Sequence, residues 1–223
     1  MGSRSLSIPT DRQITVVRRS GSSEVLRWEE AEGSCFLKIY RYQGLKGPMR
    51  GAFRNTFAAP SRAAREDRAL RHLAECGIQP ELALGYAERR WLGWLREARL
   101  LTRGFGDEDL AQRIERRRAE SEARPGLRAD ELPGLGAFLG AIFDSGLVDP
   151  DLRVRNLLCA GTGEATRWAK IDASSSRIRR RPLGPAERAR DLAPLLEELR
   201  AAGCDETALA ELSSAARASP ARR

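Results

Sequence analysis

The chain has 223 residues and a formal net charge of +8, long enough for one large domain or two small lobes with a real core. An apolar share of 41% beside 31% charged residues excludes wholesale disorder, and no apolar run approaches the ~18 residues of a membrane span. The single histidine, His72, and four scattered cysteines argue against a zinc centre, a disulfide framework and most hydrolase triads. Residues 1–12 lack the apolar core of a secretory signal, so a cytoplasmic location is expected. The positive charge is dense only at residues 116–118 and 177–181. Neither run is interleaved with aromatics, and charge alone does not choose between solvated faces, a nucleic acid and an anionic lipid surface; no nucleic-acid partner is expected, because that reading leaves the misplaced charges Lys38 and Glu66 without a use.

The first third alternates. Residues 14–18, 24–28 and 35–42 are short β-branched and aromatic runs separated by turn residues, which predicts an antiparallel meander. Residues 44–60 read as a loop. Ser61 is a good N-cap for a helix over residues 62–76, stopped by Gly77, and two further strands are predicted at residues 82–88 and 98–102. Beyond a hinge near residues 102–107 the pattern turns helical. Asp107 is the expected cap of a helix over 108–121, whose charged far end reads as mobile. Leu135, Phe138, Leu139, Ile142 and Phe143 recur at helical spacing, and Gly146 follows them. Residues 157–159 and 167–171 predict a short hairpin. A helical tail carries Leu192, Leu195, Leu196 and Leu199, then Leu209 and Leu212. Strands first and helices later predict a two-lobed α+β chain, with lobes at residues 1–103 and 104–223.

Two charges stand where apolar residues belong. Lys38 shares a strand face with Phe36 and Tyr40; alone it reads as an edge lysine reaching water. Glu66, however, stands at i with Leu70 and Leu73 at i+4 and i+7, on the stripe that faces the core of the next helix. A carboxylate there is costly unless a cation meets it, and the preceding strand offers one. A strand lysine held by a helix glutamate is what a kinase-like fold uses to grip nucleotide phosphates.

Downstream, Asp151 and Asn156 have the D-x-x-x-x-N spacing of a phosphotransferase loop, in which the aspartate orients the acceptor hydroxyl and the asparagine holds a metal ion. Asp172 ends the strand that follows, where a second hard oxygen ligand belongs. Magnesium takes such ligands and shares them with substrate phosphates. Asp and Asn are also ordinary turn residues; the order of all these features along the chain is what gives them weight.

The runs FLKIYRY, SRAAREDRALRHLAECGIQPELALGY, DLRVRNLL and KIDASSSRI resemble the lipopolysaccharide core kinase family, the Kdo and heptose kinases, over roughly residues 35–199. The resemblance implies a protein-kinase-like fold: a small antiparallel β-sheet lobe with one helix, and a mainly helical lobe. It implies ATP and Mg2+ as cofactors and no other metal. Lys38 would contact the ATP phosphates with Glu66 as its partner, and Leu100, Leu101, Thr102 and Arg103 would receive adenine through backbone groups. Asp151 would be the catalytic base, and Asn156 and Asp172 the magnesium ligands. The acceptor would be a sugar hydroxyl of the lipopolysaccharide inner core, reached by peripheral contact with the anionic inner face of the inner membrane. This sequence departs from the pattern in having Asp149 where a histidine supports the metal-binding loop, Ala173-Ser174 after Asp172, and no glycine-rich phosphate loop. Another small-molecule or protein kinase of the same fold and a pseudokinase with weakened turnover stay open as alternatives. Cys159 reads as core packing and His72 as a surface residue.

Overall fold

The computed structural model describes residues 6, 8–42, 59–106, 108–120 and 127–218. The expected cap Asp107, most of the loop expected at 44–60 and the charged stretch at 121–126 lie outside these residues. The chain divides into two compact units, one of residues 1–71 and 81–104, the other of residues 72–80 and 105–223.

The first unit is built on a five-stranded antiparallel sheet. Its strands are β1 (Thr15–Arg19), β2 (Ser23–Glu30), β3 (Gly33–Arg41), β4 (Ala83–Trp91) and β5 (Trp94–Arg103), in the order β1-β2-β3-β5-β4. Alternation sorts its side chains. Cys35, Leu37 and Ile39 of β3 pack with Leu26 and Trp28 of β2 on one face. On the other, Tyr40, Ala98 and Leu100 pack with Ala63 of helix α1 (Arg62–Glu75). Each fully buried Leu or Ile contributes about 1.5–3 kcal/mol. Ser61 caps α1, its Oγ accepting from the Ala64 N–H at 3.0 Å. Strands β4 and β5 run on to a two-residue turn at Leu92-Gly93, where the sequence predicted a nine-residue connection. Arginines and the Trp-Leu-Gly-Trp tip hide the alternation there, and register shifts within β4 break its period. The outer strand β1 is exposed along its length.

The second unit is mainly helical: α2 (Leu110–Glu120), α3 (Leu132–Asp144), α4 (Pro185–Ala201) and α5 (Glu206–Arg217). Small sheets β6-β8-β9 (Glu108–Asp109, Leu157–Ala160, Arg167–Lys170) and β10-β7 (Arg177–Ile178, Leu147–Val148) complete it. Helix α3 buries Leu135, Phe138, Leu139, Ile142 and Phe143, the stripe its sequence announces. It stops at Gly146, whose φ of +84° and close approach to the Arg179 carbonyl leave no room for a side chain. Helix α2 begins two residues later than its sequence suggests, because Glu108 and Asp109 pair with β8; the Asp109 carboxylate accepts from the Gln112 N–H at 2.8 Å. Among the described residues no helix is long and apolar enough to cross a membrane.

Much of the basic character is structural. Arg113 and Arg117 are buried on α2 and both reach Glu131, Arg117 through two bonds at 2.6 and 2.8 Å. Burial pushes the Glu131 carboxyl up, but the bonds from Arg117 and the Arg128 backbone outweigh it and hold the group below its usual range. In the 177–181 run, Arg179 and Arg181 both pair with Glu187.

Candidate active site

In the first unit, Lys38 lies on β3, the central strand, which rules out the edge-lysine reading. Its Nζ donates to Glu66 Oε1 at 2.6 Å. The Glu66 side chain is fully buried and that of Lys38 is 16% exposed, so the carboxylate is the fixed half of the pair and the ammonium keeps a face to solvent. Tyr40, two residues along the same face, donates from its hydroxyl to Glu66 Oε2 at 3.2 Å. Each carboxylate oxygen thus has its own donor, as a buried charge requires. The tyrosine is a support that sequence reasoning noted only as a neighbour.

Leu100, Leu101, Thr102 and Arg103 fall inside β5. Leu100 pairs with Lys38 on one side and Tyr86 on the other, Leu101 with Leu37 and Gly85, and Thr102 with Phe36 and Ala83. A strand flanked on both sides spends its backbone groups on the ladders. The Arg103 N–H likewise goes to the Leu82 carbonyl at 2.8 Å. The ladders and this bond engage backbone groups along the segment that the resemblance implies for adenine.

In the second unit, Asp151, Asn156 and Asp172 are joined through a short loop and two strands. Asn156 is buried; its Nδ2 donates to the Asp151 carbonyl at 2.9 Å and to Asp151 Oδ2 at 3.3 Å. That leaves its amide oxygen as the group it can offer a cation. The Asn156 carbonyl accepts the Ile171 N–H at 3.0 Å, which fixes the residue before Asp172 against the loop. Asp172 itself is half-buried with a φ of +54°, a left-handed conformation that aspartate tolerates better than most residues and that gathers at functional sites. Asp151 is partly exposed, and Oδ1 accepts from Arg153 Nε at 3.0 Å with Arg155 3.6 Å away. Two oxygen donors, one neutral and one charged, suit a hard cation that completes its shell with phosphate oxygens. Among the described residues no group of three or more His, Cys, Asp or Glu side chains could hold a metal.

Asp149 departs from the expected histidine, and the structure shows what stands in its place. Its side chain and that of Lys170 are both fully buried, with Nζ 3.0 Å from Oδ2. Oδ1 accepts from Ser176 Oγ at 3.1 Å and from the Asp151 N–H at 3.2 Å. The Asp149 N–H donates to Asp191 Oδ2 at 2.8 Å. Lys170 also donates to the Ile171 carbonyl at 2.5 Å, and Gln79 accepts its backbone N–H at 2.8 Å. The pair thus ties the loop of Asp151 to the strand end of Asp172. Sequence reasoning missed Lys170, although a lysine in the apolar strand Arg167–Lys170 carries the same signal that exposed Lys38. Of the remaining readings, Cys159 is buried, its thiol pushed up to about 12 chiefly by that burial. His72 is half-buried, and its Nε2–H donates to the Ser145 carbonyl at 2.9 Å.

A family model described as "Lipopolysaccharide kinase (Kdo/WaaP) family" matches residues 11–215. Among solved structures, WaaP in complex with acyl carrier protein is similar at a TM-score of 0.65 and 19% identity, covering 92% of this chain and 78% of that one. The likeness shows the kinase-like fold; the protein partner in that structure has no counterpart in the sequence-based expectations. No curated protein sequence matches.

Proposed function

The chain belongs to the lipopolysaccharide kinase (Kdo/WaaP) family, and from that premise we propose that it transfers the γ-phosphoryl group of ATP, with Mg2+, to a hydroxyl of an inner-core heptose or Kdo. The observation that carries this reading is the Asp151 loop, bonded through Asn156 to Ile171, the residue before Asp172. Lys38, steadied by Glu66 and Tyr40, offers a cation to the nucleotide phosphates. Asn156 and Asp172 would hold Mg2+, which when bound offsets charge on the phosphate oxygens. Asp151 orients the acceptor hydroxyl and takes its proton, with Arg153 and Asn156 fixing the carboxylate. The base would lie at the Leu100–Arg103 segment, as the resemblance implies. Little covalent chemistry falls to the protein, so its contribution is position and charge. The Asp149–Lys170 pair weighs against the pseudokinase reading, because the support expected of a histidine is supplied by other groups. The reading includes a cytoplasmic location at the inner face of the inner membrane, which the net positive charge of the chain supports.

The test pairs a binding readout with a transfer readout. ATP with magnesium at ~100 times its dissociation constant stabilises by about 2.7 kcal/mol and raises the melting temperature. Asp172→Ala is expected to abolish the magnesium-dependent part of that shift. Asp151→Ala is expected to keep the shift and lose transfer from radiolabelled ATP to deacylated core oligosaccharide. Transfer by Asp151→Ala at the parent rate refutes its assignment, and no shift with millimolar ATP refutes the kinase reading of this chain.

A further inference from the structure

We infer that the tip of the β4–β5 hairpin is a membrane-docking element, which seats Trp91 and Leu92 in a bilayer carrying anionic lipid. The hairpin closes through Leu92 and Gly93, at φ of +47° and +82°. Both residues are left-handed, the geometry of a type I′ turn, for which Asn-Gly is the favoured pair. A leucine in the first position costs conformational energy that a packed side chain could offset. Leu92 is not packed: it is 74% exposed, and the adjoining Trp91 is 58% exposed. They are the two most exposed large apolar side chains among the described residues, and they are neighbours. The sequence thus sets an apolar pair at a turn where both the backbone and the solvent favour something polar.

What surrounds the tip names its occupant. The hairpin carries Arg89, Arg90, Arg96 and Arg99 against Glu88 and Glu97. Arg90 pairs with Glu88 at 2.7 Å and Arg99 with Glu97 at 2.9 Å. The Arg96 guanidinium lies 5.1 Å from the centre of the Trp91 ring, and Arg89 is exposed. Arg89 and Arg96 therefore carry the excess charge, each three residues from the turn. At ~3.3 Å per residue this sets them about 10 Å behind the tip. An interfacial element buries its apolar part about 5–10 Å deep, which leaves those guanidiniums at the level of the lipid phosphates. Tryptophan favours that interface, and arginine stems bridge it. A protein partner is less well matched: a stable interface needs about 800 Å² on each side, and a two-residue convex turn offers no such face. The net positive charge of the chain, +8, acts in the same sense on an anionic surface.

This inference does not rest on phosphoryl transfer, and its test needs no activity. The full chain is sedimented with vesicles of phosphatidylcholine, alone or mixed with phosphatidylglycerol. The parent is expected to partition onto the mixed vesicles and to be released by salt. Leu92→Asn supplies the favoured Asn-Gly turn, so its melting temperature is expected to hold or rise while partitioning falls about tenfold or more. Trp91→Ala is expected to match that loss, and Arg89→Glu with Arg96→Glu to abolish the preference for phosphatidylglycerol. The inference is overturned if the parent binds neither vesicle, or if Leu92→Asn and Trp91→Ala partition as the parent does. A drop in the melting temperature of Leu92→Asn overturns it as well, since Leu92 would then be a packing residue.

Discussion

Lys170→Met tests whether the buried Asp149–Lys170 pair does what a histidine does elsewhere. Both side chains are fully buried, and no well-directed hydrogen bond reaches Asp149 Oδ2, so the ammonium at 3.0 Å is what answers that oxygen. Removing one partner of such a pair costs about 3–5 kcal/mol, because the other charge is left uncompensated. At about 2–4 °C per kcal/mol for a chain of this size, the melting temperature should fall by roughly 6–20 °C. Asp149→Asn should cost a similar amount. The double variant should be less damaged than the sum of the singles by about 1–3 kcal/mol, since neither charge remains to be stranded. Asp149→His alone restores the residue that the family resemblance implies and still strands the lysine, so it should be less stable than the parent. Equilibrium urea unfolding measures the cycle. In folded Asp149→Asn, kcat for core phosphorylation should drop while KM for ATP holds, because the pair positions the Asp151 loop rather than the nucleotide. Singles that add within about 0.5 kcal/mol in the double variant refute the reasoning.

Two further outcomes follow from packing and charge. Gly136 lets α3 and α5 approach closely: a Cβ there would lie 2.5 Å from Ala215 Cβ, so Gly136→Ala should destabilise by about 1–3 kcal/mol. Gly134→Ala, whose Cβ would sit 3.5 Å from Trp168 Nε1, should instead stabilise by about 0.5–1 kcal/mol, and urea midpoints of the same sign for both would contradict the packing. Glu131 has a folded pKa below its ordinary 4.5, so its contribution is complete above that value and is lost as pH falls through the folded pKa. Urea midpoints should therefore drop on acidification below 4.5, and Glu131→Gln should flatten that drop; an unchanged acid profile in the variant would falsify the assignment.

What could be read from the residues was whatever rested on local period and on misplaced charge. The α3 stripe from Leu135 to Phe143 and the cap at Ser61 are local, and each is found where its spacing puts it. Lys38 and Glu66 were legible together because each breaks an apolar pattern and each needs the other. Long-range pairing was not legible. That β5 inserts between β3 and β4 depends on contacts far apart in sequence, and it is why ladders engage Leu100–Thr102 on both sides. The Leu92-Gly93 turn escaped because its first residue is not the one the turn favours. Lys170 escaped for a plainer reason: its partner, Asp149, lies across the loop, 21 residues earlier in the chain.

The sheet of the first unit has two outer strands, β1 and β4, and among the described residues each offers a row of backbone groups with no strand beyond it. Such rows invite a second chain to add on. Both are interrupted: the register of β1 slips between Val16 and Arg18, and that of β4 slips twice, between Ala83 and Gly85 and between Arg89 and Arg90. Arginines stand at or beside the slips, with Arg18, Arg19 and Arg89 exposed. A newcomer strand would find its hydrogen-bond partners out of step, with a cation at the β1 slip and at the second β4 slip. Exposed Val16 and Val17 thus sit on an edge whose broken register and arginines work against strand addition.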